Sequence, residues 1–277
     1  MRPLWAILLV PALAGFAAAA ELQIVRPLVS QSEGGEPSPP GYAHIPGETL
    51  FFTCRIANFS RSPESKMHVA FSIQAFDPKG VPLDPAYKNE FADDVGPQDK
   101  DWMPKLRTEV SIPPLALSGT YKITVKAEDL LAHTSTALDV PFEVRGHALE
   151  PSDKLVMRNF HFFHGETDTQ PMAKAVYHPG EGVWVRMDIT GFRYGPGNKV
   201  DVSYLTSFLN ATGKVLWKQP EPATEQTESF YPKQYIPAEF GVTLDKNIKP
   251  GEYTILVEVK DGVGNQSMEL KQSFAVE

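Results

Sequence analysis

The feature that most constrains this chain is that it repeats itself. Pro46-Gly47-Glu48 returns as Pro179-Gly180-Glu181, 133 positions later. At the same spacing Phe59 falls on Phe192, Val69 on Val202, Phe71 on Tyr204, Gly80 on Gly213, Leu83 on Leu216 and Pro104 on Pro237. Near residues 105–107 the offset becomes 132. From there Val110 matches Val242, Gly119 Gly251, Tyr121 Tyr253, Ile123 Ile255, Asp129 Asp261, Ser135 Ser267, Phe142 Phe274 and Val144 Val276. A register kept through a one-residue gap marks a tandem duplication, and the two copies must share a fold.

Each copy reads as β. In Leu50-Phe52-Cys54-Ile56 and in Val183-Val185-Met187-Ile189 every second residue is apolar, with Thr53, Arg55, Arg186 and Asp188 between them. Period-two alternation describes a strand with one face in a core. It also places Cys54, the sole cysteine, on the inward face beside the position of Met187, as a buried and inert thiol. Tyr121-Ile123-Val125-Ala127 and Tyr253-Ile255-Val257-Val259 alternate likewise, as do Val69-Phe71-Ile73, Val110-Ile112 and Leu138-Val140-Phe142-Val144. Turn chemistry falls between them, at Asp77-Pro78-Lys79-Gly80, Asn210-Ala211-Thr212-Gly213 and Asp261-Gly262. The 25 prolines and 20 glycines suit short strands and turns better than long helices. About seven short strands per copy predicts two tandem immunoglobulin-like β-sandwiches, over 21–146 and 154–277, joined by a short linker, 147–153. The Gly-x-Tyr that opens the penultimate strand of each copy fits a tyrosine corner, while the Cys…Trp…Cys of antibody domains is missing.

A tyrosine shortly before Pro-Gly-Glu (Tyr42 and Tyr177) ahead of an alternating strand, an Asp-Pro-Lys-Gly turn and then Gly-x-Tyr-x-Ile-x-Val resemble the bacterial Ig-like repeats of secreted proteins. The likeness is to cell-adhesion-related bacterial domains and to fibronectin III or macroglobulin-like sandwiches. It covers both copies, with His178-Pro179-Gly180-Glu181 the cleaner instance. The macroglobulin thioester sequence Cys-Gly-Glu-Gln does not occur, which removes that family's covalent trapping chemistry. The resemblance implies an adhesion, scaffold or binding module outside the cytoplasm, and no activity.

Residues 1–20 read as a secretory signal peptide. Arg2 gives the positive start, Leu4 to Leu13 is nearly all apolar, and Ala18-Ala19-Ala20 offers a cleavage site before Glu21. The expected product is secreted or periplasmic, with no membrane span after cleavage. One cysteine allows no disulfide within the chain, so burial alone must hold each copy together. The formal charge of −8 excludes a phosphate-tracking nucleic-acid binder. The charge divides as −5 over 21–145 and −4 over 146–277, so neither copy is basic overall.

Chemistry is harder to find. His161, His164 and Glu166 hold ligand types for Zn²⁺ or Cu²⁺, but a strand through 160–163 points 161 and 164 to opposite faces. Asp93, Asp94, Asp99 and Asp101 form an acidic run without EF-hand spacing. No Gly-x-Ser-x-Gly elbow, His-Glu-x-x-His helix or phosphate-binding glycine loop occurs. The conspicuous feature is a pair of long connections, 84–107 and 217–239, rich in aromatics: Tyr87, Phe91 and Trp102 in one, Trp217, Phe230, Tyr231 and Tyr235 in the other. Trp102-Met103-Pro104 aligns with Tyr235-Ile236-Pro237. Connections of that length usually have a use, and Trp and Tyr give large, rigid contact area. The expectation is a non-enzymatic module without a cofactor, binding an envelope or extracellular protein through these aromatics. The alternatives are a periplasmic metal-binding protein using His161 and His164, or a carbohydrate-binding accessory protein.

Overall fold

The alternating stretches form strands throughout the described residues, 21–99 and 101–277 of a computed structural model, and the protein is all-β. The candidate signal peptide lies outside them. The first half runs β1 (Gln23–Ser30), β2 (Ala43–His44), β3 (Thr49–Ala57), β4 (Lys66–Phe76), β5 (Tyr87–Asp94), β6 (Lys105–Ser111), β7 (Gly119–Asp129) and β8 (Thr134–Val144). The second runs β9 (Val156–Phe163), β10 (Val176–Tyr177), β11 (Gly182–Thr190), β12 (Val200–Asn210), β13 (Val215–Lys218), β14 (Ala223–Thr227), β15 (Ile236–Thr243), β16 (Gly251–Asp261) and β17 (Gln266–Val276). In the first half a three-stranded sheet, β1-β3-β6, faces a five-stranded one ordered β2-β8-β7-β4-β5. The second half follows the same path: β9-β11-β15 in one sheet and β10-β17-β16-β12-β13 in the other, with β14 added beside β12.

Register repeats as well as order. Leu50 pairs with Val110 and Val183 with Val242; Cys54 pairs with Leu106 and Met187 with Ala238. The one-residue gap therefore falls just before β6. His44 lies beside Val144 in a parallel pair, as Tyr177 lies beside Val276. Each pair of sheets closes on its own core. Leu50, Phe52, Cys54, Val69, Ile73, Tyr121 and Ile123 belong to the first, and Val183, Val185, Met187, Val202, Tyr253 and Ile255 to the second. Fully burying one such side chain stabilises by roughly 1.5–3 kcal/mol, so neither core depends on a crosslink. Cys54 lies in the first core, where burial pushes its thiol up to about 12.

The repeated motifs have repeated geometry. Glu48 N donates to Ile45 O, and Gly47, at φ 85°, takes the left-handed position of a type II turn; Glu181 N, His178 O and Gly180, at φ 90°, do the same. Each glutamate then turns back, Glu48 accepting the amide of Ile45 and Glu181 that of His178. Tyr121 Oη donates to Leu117 O at 3.0 Å and Tyr253 Oη to Lys249 O at 2.7 Å, the tyrosine-corner bond in both halves. Asp129 Oδ1 accepts the amides of Leu131 and Ala132, and its Oδ2 that of Ser60; Asp261 accepts those of Val263, Gly264 and Arg193. Burial acts to raise the Asp129 carboxyl, but these amides outweigh it and hold the group below the usual carboxylate range. Among the described residues no helix is long and apolar enough to cross a membrane.

Candidate functional site

The two long connections do not form one aromatic platform. A third of 84–107 is the edge strand β5, with Tyr87 and Phe91 on it. Phe91 stacks on Phe71 at 5.4 Å, and Tyr87 lies 6.0 Å from the same ring. In 217–239 the chain forms the end of β13, then β14 and the start of β15, and Trp217 packs on Phe240 at 5.4 Å. Phe230 is 50% exposed. The loop reading is thus corrected in part: a little under half of each connection is strand, added to an existing sheet edge whose open backbone groups it satisfies.

Tyr231 and Tyr235 lie where the halves meet. Tyr231 packs against the first core and donates its hydroxyl to Asp77 Oδ2 at 3.0 Å. Burial, reinforced by Tyr121 and Asp77, pushes the Tyr231 phenol far above its ordinary range. Asp77 is 5% exposed, and its Oδ1 accepts the amides of Lys79 and Val81. Both carboxylate oxygens are therefore engaged. Asn210 accepts the matching turn amides, of Thr212 and Lys214, in the second half.

A second set of contacts secures the connection that follows β8. The His147 ring stacks on Tyr235 with centroids 4.7 Å apart, and its Nε2 lies 2.6 Å from Asp188 Oδ2. Asn159 Nδ2 donates to the same carboxylate oxygen at 2.7 Å and to Ala148 O at 3.2 Å. Asp188 sits on the polar side of its strand in sequence, yet this connection buries it. Gly191, at φ 75°, lies so close under the same connection that a Cβ would stand 2.0 Å from Lys154 O. An open cleft of about 500 Å³ remains between the halves, with Asp77, Tyr121, His147, Tyr231 and Gln234 in its walls. His147 and Asp188 are placed like an oriented base, but the neighbouring Ser118 hydroxyl donates to Gly146 O. The polar groups of the cleft bridge the joint, Tyr231 to Asp77 and His147 and Asn159 to Asp188.

The remaining candidate residues lie apart from the joint. His161 is exposed on β9, His164 is exposed with its ring 5.7 Å from Tyr177, and Glu166 gives its carbonyl to Arg186. Among the described residues no three His, Cys, Asp or Glu side chains are grouped to hold a metal ion, so the structure does not bring His161, His164 and Glu166 together as a ligand set. The acidic run is likewise dispersed: Asp93 and Asp94 lie on β5, and Asp99 Oδ2 accepts the amide of Gly96.

Trp102 lies at the free end of the first half. It is 41% exposed, whereas its counterpart Tyr235 is 7% exposed. Its ring meets Phe59 edge-on at 6.1 Å, and the Arg61 guanidinium covers Phe59 at 5.7 Å from the ring centroid. A depression of about 540 Å³ there is lined by Arg26, Asn58, Phe59, Arg61, Asp101 and Trp102. Sequence pairing of Trp102 with Tyr235 could have exposed the contrast, but only by also seeing that the second half is covered at that point.

No family model matches the chain, and no curated protein is similar to it. Among solved structures, a family 123 glycoside hydrolase from Clostridium perfringens, studied for glycolipid glycan hydrolysis, is similar over 45% of this chain at 16% identity, with a TM-score of 0.31. The matched region spans 27% of that enzyme's chain.

Proposed function

We propose that this is a non-enzymatic module acting outside the cytoplasm, built of two Ig-like sandwiches set end to end, whose task is to present a binding face to another protein. The strand order supports the Ig-like reading: three strands against a larger sheet, with a tyrosine corner in each copy. Residues 21–146 and 154–277 are then the two domains, and 147–153 is a linker fastened to the second. The observation that carries the binding role is the contrast between matched aromatics. Tyr235 is spent on the joint, while Trp102, beside Phe59 and Arg61, faces outward. An exposed tryptophan framed by arginines has the composition of an interface centre. The acid groups best placed for chemistry, Asp77 and Asp188, are already engaged by the joint.

A photoreactive benzoylphenylalanine placed at 102, or at the exposed control position Leu131 on the β7–β8 turn, tests the reading in intact cells of the source organism. Discrete protein adducts from 102 and none from 131 are expected. Equal labelling at both, or none at 102, would contradict it.

A further inference from the structure

The outer face of the larger sheet in the first half carries a charge pattern set by its register. Val69, Phe71, Ile73, Val125 and Ala127 turn into the core, so the residues alternating with them on β4 and β7 face outward. Cross-strand pairing sorts the outward residues into two rows. Lys88, Ser72, Lys126 and Ala137 lie side by side across β5, β4, β7 and β8. Two residues further along the strands, Glu90, Ala70, Glu128 and Ser135 do the same. Positions two apart on a strand are separated by about 6.8 Å, so a positive row runs beside a negative one. The long side chains stand on β5 and β7. The small Ala70 and Ser72 between them, with Ser135 and Ala137 beyond, leave a shallow depression of about 730 Å³.

The chain itself leaves these charges largely unused. Among the described residues Lys88, Lys126 and Glu128 form no ion pair, and Glu90 meets only His68, at 3.1 Å. Asp139, the next carboxylate on β8, is taken by Lys122 at 2.7 Å. The second half differs at the matching face. Leu205 stands at the position of Ser72 and Glu258 at that of Lys126, and Glu258 is paired with Lys218 at 3.6 Å. The charges of Lys88, Lys126, Glu90 and Glu128 cancel. Two such faces can therefore meet without the repulsion expected between chains of formal charge −8.

We infer that this face is the contact between two copies of the chain, related by a two-fold axis that runs across the strands between the two rows. Such an axis lays the lysine row of each copy on the glutamate row of the other. Lys88 then meets Glu90 of the second copy and Lys126 meets its Glu128, and symmetry repeats both contacts. An axis along β4 would instead set Lys88 against Lys126, and like charges placed opposite one another destabilise a contact. The register thus selects one arrangement, which is isologous and closes at two copies. Ala70 lies opposite Ser72 and Ser135 opposite Ala137, small enough for the spacing of about 10 Å between stacked sheets. The strands β8-β7-β4-β5 present roughly 500 Å² per copy, less than the about 800 Å² of a standard interface, so the dimer should be weak. Salt should weaken it further, because exposed charges hold it. The inference concerns a different face from that of Trp102 and does not rest on the role proposed for it.

Sedimentation velocity of the purified full chain from about 10 μM to about 1 mM, in about 20 mM and about 500 mM salt, reads this directly. The expected result in low salt is a monomer–dimer equilibrium with no larger species, weakened about tenfold or more in high salt. Lys126→Glu and Glu128→Lys each set like charges opposite one another and should stay monomeric, with Cys54 still unreactive as proof of a folded first half. The two variants mixed should dimerise with each other, and the double variant Lys126→Glu/Glu128→Lys with itself, because both restore opposite charges. Trp102→Ala should dimerise like the wild type. A wild-type chain that stays monomeric in low salt would overturn the inference, as would a dimer that survives either single swap or a mixture of the two that stays monomeric. Benzoylphenylalanine at 137 that captures a different protein in cells, while the purified chain is monomeric, would assign the face to that protein and overturn the dimer. Loss of the adducts at 102 with the dimer intact would remove the binding role of Trp102 and leave this contact standing.

Discussion

Replacing Tyr231 by Phe removes one oxygen atom and separates the joint from the cores it connects. The lost hydroxyl donates to Asp77 Oδ2 at 3.0 Å, while the ring keeps its place against the first core. Asp77 is 5% exposed, so water cannot readily replace the donor. A hydrogen bond to a charged group contributes about 1.5–3 kcal/mol, and an acceptor left buried without a partner costs a similar amount. A loss of about 2 kcal/mol is therefore expected, close to a 30-fold change in an equilibrium constant. Cys54 provides the assay, because it is the chain's only cysteine and lies within the first core. In the regime where closing outpaces labelling, its modification rate by a thiol reagent follows the fraction of open first halves. Tyr231→Phe should raise that rate about 30-fold, although the substituted residue belongs to the second half. Tyr231→Ala should raise it further by removing the ring. A Cys54 rate unchanged in both variants would refute the argument that the second half stabilises the first through this residue.

Other outcomes follow from single sites. In the wild-type protein Cys54 should resist modification at neutral pH and react fully in denaturant, since burial both shields the thiol and pushes it up to about 12. Asp129→Asn should cost about 1–3 kcal/mol at neutral pH by weakening the bonds from Ser60, Leu131 and Ala132. Because the folded state holds that carboxyl low, its stabilisation is present above the unfolded value near 3.9 and is lost as pH falls through the folded value. Urea melts of wild type and variant should accordingly converge in acid and stay apart at pH 7. Gly191→Ala should destabilise the second half by about 3 kcal/mol, since left-handed backbone and a 2.0 Å approach to Lys154 O oppose a methyl group together; Trp184 and Trp217 fluorescence in a denaturant titration would report it.

Much of the fold could be read from residue order because its rules are local. Alternation located β3, β7, β11 and β16, and the duplication gave a second independent copy of each pattern. Pro-Gly-Glu and Gly-x-Tyr marked a turn and a corner because their chemistry involves residues three or four positions away. The edge strands were less legible: β5 carries Tyr-Lys-Asn-Glu-Phe-Ala-Asp-Asp, with little alternation, and pairs because β4 offers it an open edge. The joint was hidden for a different reason. Tyr231 and Asp77 are separated by 154 positions, and neither side of a contact between two folded surfaces shows a period. Asp188 reads as an outward residue on a half-polar strand, and only the course of 147–148 across it explains its burial. Trp102 and Tyr235 look alike in sequence, and their difference appears only when one is seen covered and the other not.

Residual dipolar couplings measured on the backbone amides of both halves address the joint most directly. If Tyr231, Tyr235 and His147 fasten the second sandwich to the first, couplings from 22–144 and from 155–276 fit one alignment tensor in the wild-type chain and need two in a Tyr231→Ala/His147→Ala variant. Two unrelated tensors in the wild-type chain would mean that the halves move independently, and the account of the joint would be wrong.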